Sequence, residues 1–90
     1  MEKDNPSELL YMCRMGDAHA QYRLFAQYEG LLTSLVNQTI QVYPPVKNYK
    51  DDLLQEARLG LLVAIHCYRE DTQASFKTFL CIIAKRRVWN

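Results

Sequence analysis

Phe76-Lys77-Thr78-Phe79 sets two aromatic rings three residues apart, with a lysine and a hydroxyl between them. On a helix that spacing puts both rings on one face. Lys85-Arg86-Arg87 and Trp89 follow downstream, and Tyr68 and Arg69 lie a few residues upstream. Rings interleaved with cations suit single-stranded nucleic acid, because bases stack on the rings for about 1–3 kcal/mol each while cations hold the phosphates. The same spacing suits two phenylalanines packed in a helical core, which is its commoner use.

Other chemistry is poorly represented. His19 and His66 are far apart in sequence, and the adjacent pair His66-Cys67 diverges around a helix, so the two cannot share a ligand site. Asp51, Asp52 and Glu56 form an acidic cluster without the helix-paired Glu-x-x-His that a metal site in a helical bundle uses. Helix caps and a solvated acid explain those carboxylates better. Ser34 and Ser75 lack a histidine partner and a glycine elbow. Three glycines cannot assemble a phosphate-cradling loop. No catalytic residue, metal site or cofactor is expected, and the chain does not read as an enzyme.

Composition narrows the class. A chain of 90 residues holds one domain, and 49% hydrophobic residues with a net charge of +1 argue against intrinsic disorder. No apolar run reaches the roughly 18 residues of a membrane span. The opening Met1-Glu2-Lys3-Asp4-Asn5 is too polar for a signal peptide. Cys13, Cys67 and Cys81 are odd in number with no Cys-x-x-Cys spacing, so they read as reduced thiols of a cytoplasmic protein. The small net charge conceals an asymmetry. Residues 51–71 carry five acids against Arg58 and Arg69, a net −3, while residues 72–90 carry four bases and no acid. An acidic segment followed by a basic one suits two different partners, the second a polyanion, or else two solvated faces.

The elements that must position these residues are helical. Asn5 is placed to cap a short first helix with Pro6 at its first position and Glu8 in a capping box, and Gly16 to stop it. Asp17 opens a second helix on which Tyr22, Phe25, Tyr28, Leu32, Leu35, Val36 and Ile40 recur at three- and four-residue steps. Gly30 weakens it, and Pro44-Pro45 ends it. Thr39 to Tyr43 could alternatively be a short strand, but no partner strand exists. Residues 46–50 read as a loop and Asp51 or Asp52 as the cap of a third helix, apolar over a wide arc that should touch more than one neighbour. Tyr68 closes it, residues 69–74 form a polar connector, and Ser75 caps a fourth helix running to the end. The expected fold is all-α, a small bundle of about four helices in a single domain over residues 1–90.

Asp52, Leu53, Gln55, Glu56, Gly60, Leu61 and Tyr68 in the third segment, with Phe76, Thr78 and Phe79 in the fourth, resemble the pattern of region 2 of bacterial RNA polymerase sigma factors of the sigma-70 family. That pattern runs Asp-Leu-x-Gln-Glu, three residues, Gly-Leu, then an apolar helix ending in an aromatic, matched here by Asp52, Leu53, Gln55, Glu56, Gly60, Leu61 and Tyr68. A polar loop then leads to Phe-x-Thr-aromatic, here Phe76, Thr78 and Phe79. The resemblance covers roughly residues 7–90.

The resemblance implies a helical bundle with two binding faces and a role in transcription initiation. A part at about 51–68 would dock on the β′ clamp helices of RNA polymerase core through Asp52, Leu53, Gln55, Glu56 and Leu59. A part at about 69–90 would recognise and melt the −10 promoter element by capturing non-template single-stranded bases. Phe76, Lys77, Thr78 and Phe79 would take the bases, and Lys85, Arg86 and Trp89 the backbone or upstream duplex, with Arg69 beside them. Primary sigma factors carry a tryptophan pair as a melting wedge where this chain has Ile82 and Ile83. The resemblance is therefore to alternative factors, of the extracytoplasmic-function or stationary-phase kind. The sequence given ends at Asn90 without the helix-turn-helix that reads the −35 element, which fits a longer factor or a separate region-4 partner. An anti-sigma factor is a further partner that the family allows, and a membrane is not one. From another class, the chain reads as a helical protein-interaction or regulatory module, for instance of a mobile element, without promoter melting. A duplex-reading helix-turn-helix fits less well, because the connector before the last helix is longer than that motif uses.

Overall fold

The computed structural model describes residues 6–69, 71 and 73–89. Helix α1 spans Pro6–Arg14, α2 Ala18–Val42, α3 Lys50–Cys67 and α4 Phe76–Trp89, with a 3-10 helix at Pro44–Tyr49 joining α2 to α3. The fold is the expected all-α bundle with a short first helix. Asn5, expected to cap α1, lies outside the described residues.

The turns follow from the residues in them. Gly16 adopts φ +92°, the left-handed conformation that ends α1 and that glycine reaches without a Cβ clash. Asp17 then caps α2, its carboxylate accepting from the backbone N–H of His19 at 2.9 Å and of Ala20 at 3.1 Å. Helix α2 runs unbroken through the exposed Gly30 and through Thr39, whose hydroxyl donates to the Leu35 carbonyl at 3.0 Å, so the β-branched stretch is helical.

The start of α3 differs from expectation. Residues 46–50 are not a loop, and neither Asp51 nor Asp52 is the cap. Pro44 and Pro45 set up a 3-10 helix that leads directly into α3, whose N-cap is Tyr49 without a side-chain bond. Asp51 and Asp52 lie inside the first turn, where their charge complements the positive helix end.

The core gathers Leu9 and Leu10 from α1, Leu24, Leu32 and Val36 from α2, Leu61 and Ile65 from α3, and Leu80 from α4, each at most 3% exposed. Helix α3 touches all the other helices, as its wide apolar arc requires. Its closest partner is α4, which lies antiparallel to it: Tyr68 meets Phe76, Gly60 meets Ala84, and Glu56 meets Arg87. A Cβ on Gly60 would stand 3.1 Å from the Ala84 Cα, so glycine here permits the close approach of two backbones. Helix α1 is tied to α3 through Arg14, whose Nε donates to the Ile65 carbonyl at 2.6 Å and whose terminal nitrogen donates to the Tyr68 carbonyl. Helices α2 and α3 are joined by Glu29 and Arg58, 2.7 Å apart.

Gly60→Val should destabilise the fold by about 1–3 kcal/mol through overpacking against α4. Gly30→Ala, where an added Cβ meets open space, should stabilise by about 1 kcal/mol through helix propensity. Urea unfolding of the two variants beside the wild type checks both signs. The Arg58 hydrogen bond holds the Glu29 carboxyl below its ordinary 4.5, against a smaller opposing effect of burial. A carboxyl lowered in the folded state contributes stability above its unfolded value and loses it as pH falls. The stability difference between wild type and Glu29→Gln should therefore shrink as the pH is taken down from 4.5 through the lowered value.

Candidate functional site

The α3–α4 hairpin carries every residue singled out as a binding candidate. On α4 the buried positions are Phe76, Leu80, Ala84 and Val88, one every four residues. They fix which way the helix faces. Opposite them, Thr78, Ile82, Lys85 and Trp89 follow steps of four, three and four and form an outward stripe, with Ile82 46% and Trp89 53% exposed. Phe79 and Arg86 stand on the flank of that stripe.

The start of α4 is built around Ser75. Its hydroxyl accepts the Thr78 backbone N–H at 3.2 Å and contacts the Thr78 hydroxyl at 3.1 Å, and its carbonyl accepts the Phe79 N–H at 3.0 Å. Ser75 is thus the cap that the sequence suggests. Of the four residues assigned to base capture, Lys77 and Thr78 are exposed and Phe79 is half-buried. Phe76 is placed otherwise: it is 5% exposed and belongs to the core, edge-on to Tyr28 at 5.5 Å and to Tyr68 at 5.4 Å between ring centroids. Its ring supports the surface from beneath.

Phe79 rests on Tyr68, with ring centroids 5.6 Å apart. Tyr68 is the residue where the chain leaves α3, with φ −65° and ψ 137°, and its hydroxyl donates to the Ala74 carbonyl at 2.7 Å. One tyrosine therefore meets both phenylalanines and the far end of the connector. The sequence marks Tyr68 as a helix end and as an aromatic near the basic cluster, but its pairing with Ala74 has no periodic signal. Arg69 is held in a two-pronged contact with Asp71, at 2.7 and 3.2 Å, and this lowers the Asp71 carboxyl from its ordinary value.

On α3, Asp52, Gln55 and Leu59 share an outward stripe, with Leu59 43% exposed. The other two residues assigned to that face are turned. Leu53 is half-buried and lines a groove with Thr39, Tyr43, Val46, Val88 and Trp89. Glu56 faces α4 and pairs with Arg87 at 3.4 Å. The acidic and basic segments meet at this end of the hairpin. Lys85 and Trp89 reach across toward Gln38 and Val42 of α2, with a shallow cleft between.

The remaining reactive groups stay apart. Among the described residues, no three His, Cys, Asp or Glu side chains come together as a metal site, and the cysteines are free. Burial, aided by the charge of Asp17, pushes the Cys13 thiol up, away from the thiolate. No helix among the described residues is long and apolar enough to cross a membrane.

The sequence model of sigma-70 region 2 matches residues 24–90, which takes in most of α2 and all of α3 and α4. The chain belongs to the sigma-70 region 2 family. No curated protein and no solved structure gave a match. As a sigma region-2 domain the chain is a module of transcription initiation, and its partners by family are RNA polymerase core and promoter DNA. Both motifs read from the sequence lie inside the matched span, whereas α1 and the Asp17 cap lie outside it.

The two phenylalanines should separate in a stability measurement. Phe76→Ala, which empties a core position, is expected to cost about 3–5 kcal/mol in urea unfolding. Phe79→Ala, with its ring half outside, should cost about 1–2 kcal/mol.

Proposed function

We propose that the domain docks on the β′ clamp helices of RNA polymerase core through the outward stripe of α3, and captures non-template bases of the −10 element at the start of α4. The observation that carries the base-capture half is the placement of Phe79. Its ring is partly open to solvent and backed by Tyr68, and Thr78 and Lys77 are exposed in the same first turn of α4. A ring so backed offers a stacking surface, while a lysine two residues before it supplies a cation for phosphate. Phe76 serves as its foundation, so the direct contacts fall to Phe79, Thr78 and Lys77. Lys85, Arg86 and Trp89 extend the surface along α4 toward the duplex, and Arg69 borders it from the connector.

For docking, Asp52, Gln55 and Leu59 form an acidic, polar and apolar strip suited to a helical partner rich in arginine. Glu56 is shared, since its carboxylate already meets Arg87 across the hairpin. Leu53 supports the strip from the groove side. The work is done by binding alone, in the cytoplasm where the polymerase acts. Ile82 and Ile83 stand where primary factors have their wedge. Aliphatic side chains stack poorly on a base pair, so melting is weaker and the promoter requirement stricter, in the manner of alternative factors.

Two variants test the reading. Asp52→Ala/Gln55→Ala should weaken binding to polymerase core at least tenfold while the chain stays folded, its thermal midpoint lowered only by the few degrees that a lost helix-end charge costs. Phe79→Ala should keep core binding while the complex loses about tenfold or more in affinity for a single-stranded −10 oligonucleotide, as one lost stacking contact implies. If core binding ignores the first variant and oligonucleotide binding ignores the second, the reading falls, and a helical interaction module without promoter function takes its place.

A further inference from the structure

The last turn of a helix leaves backbone carbonyls without partners inside the helix, and they form the negative end of its dipole. In α3 the Ala64 carbonyl is taken by the Tyr68 N–H. The next carbonyl, Ile65, would be used by a continuing helix, but the chain turns away at Tyr68 into extended backbone. Arg14 fills the gap from another helix. Its Nε donates to the Ile65 carbonyl at 2.6 Å, and its terminal nitrogen donates to the Tyr68 carbonyl. A planar guanidinium offers both donors in a fixed fork and brings a positive charge to the negative helix end.

The residue held in this way is the one on which Phe79 rests. Tyr68 has its carbonyl on Arg14, its ring against Phe76 and Phe79, and its hydroxyl on the Ala74 carbonyl. Arg14 is itself fixed, because it ends a helix whose Leu9, Leu10 and Cys13 are buried in the core. A rigid path therefore runs from α1 through the exit of α3 to the ring proposed to meet a base. Helix α1 lies wholly outside the span matched by the region-2 family model.

We propose that Arg14 is a positioning residue for base capture: its guanidinium clamps the end of α3 and so sets the tilt of Tyr68 and the height of the Phe79 ring. Arg14 touches no base itself. The inference rests on the base-capture reading above for its functional part, whereas its geometric part stands on the free chain alone. Lysine at this position keeps the charge but lacks the planar fork that meets both carbonyls, so it should hold the exit partly. Alanine releases both carbonyls.

The test uses the full chain as Arg14→Ala and Arg14→Lys, with wild type and Phe79→Ala alongside. Three readouts are taken: affinity for polymerase core, affinity of the core complex for a single-stranded −10 oligonucleotide, and the ring-proton chemical shifts of Phe79 and Tyr68 in the free chain. Arg14→Ala should lower oligonucleotide affinity about tenfold, leave core affinity within about twofold, and move the ring shifts toward random-coil values. Arg14→Lys should recover part of both losses. Unchanged ring shifts in a folded Arg14→Ala chain overturn the proposal, and so does unchanged oligonucleotide affinity. An equal fall in core and oligonucleotide affinity also overturns it, because that marks a general loss of stability. If the Ala chain does not fold, Arg14→Gln, with one neutral donor group, takes its place under the same criteria. Should Phe79→Ala leave oligonucleotide affinity intact, base capture by Phe79 fails on its own account. The ring shifts then still decide whether Arg14 sets the geometry.

Discussion

The contact between Gly60 and Ala84 governs the rest of this domain. Two helices can approach closely only where their side chains are small, and here one residue has no Cβ at all and the other has a single methyl. That approach sets the register of α4 along α3. With the register set, Phe76, Leu80 and Val88 fall inward, Phe79 lands on Tyr68, and Arg87 reaches Glu56. A larger residue at position 60 would push α4 outward, and every one of those contacts would open together. The surface proposed for DNA and the surface proposed for polymerase are thus positioned by one small-residue contact between them.

Much of this was legible in the sequence, and the reasons are local. Asp17 and Ser75 cap because their side chains reach their own helix N–H groups, a bond visible from spacing alone. The two prolines after Tyr43 end α2 because they lack a donor. The cap of α3 was not legible in the same way. Two aspartates before a run of leucines satisfy the capping pattern, yet the 3-10 helix from Pro44 delivers the chain already wound, and helical geometry begins at Lys50 without a side-chain bond. The division between Phe76 and Phe79 was also beyond the pattern. Three-residue spacing places both on one face, and only the four-residue series Phe76, Leu80, Ala84, Val88 shows which of them points at the core.

Long-range pairings account for the rest. Net charge by segment suggested two separate faces, but an antiparallel hairpin returns the basic end of α4 to the acidic start of α3. Glu56 and Arg87 then meet across the hairpin, and Arg58 meets Glu29 on the other side. Exposed pairs of this kind add little to stability. Their effect is to orient side chains and to moderate the field that either segment would present alone. Arg14 belongs to the same class: nothing in its neighbourhood along the chain signals that its guanidinium ends a helix far downstream.

The Tyr68 hydroxyl on the Ala74 carbonyl has a thermodynamic consequence. A polar connector whose ends moved freely would lose conformational entropy on gripping a nucleic-acid strand, and that loss would subtract from affinity. Here the two ends are joined by a hydrogen bond of 2.7 Å that spans the segment like a clasp. The loss of freedom at those ends is incurred when the chain folds, and it is offset there by the burial of Phe76 beneath them. A strand meeting Phe79, as proposed, would find the ends of the connector already ordered, and more of its stacking energy would be left as affinity.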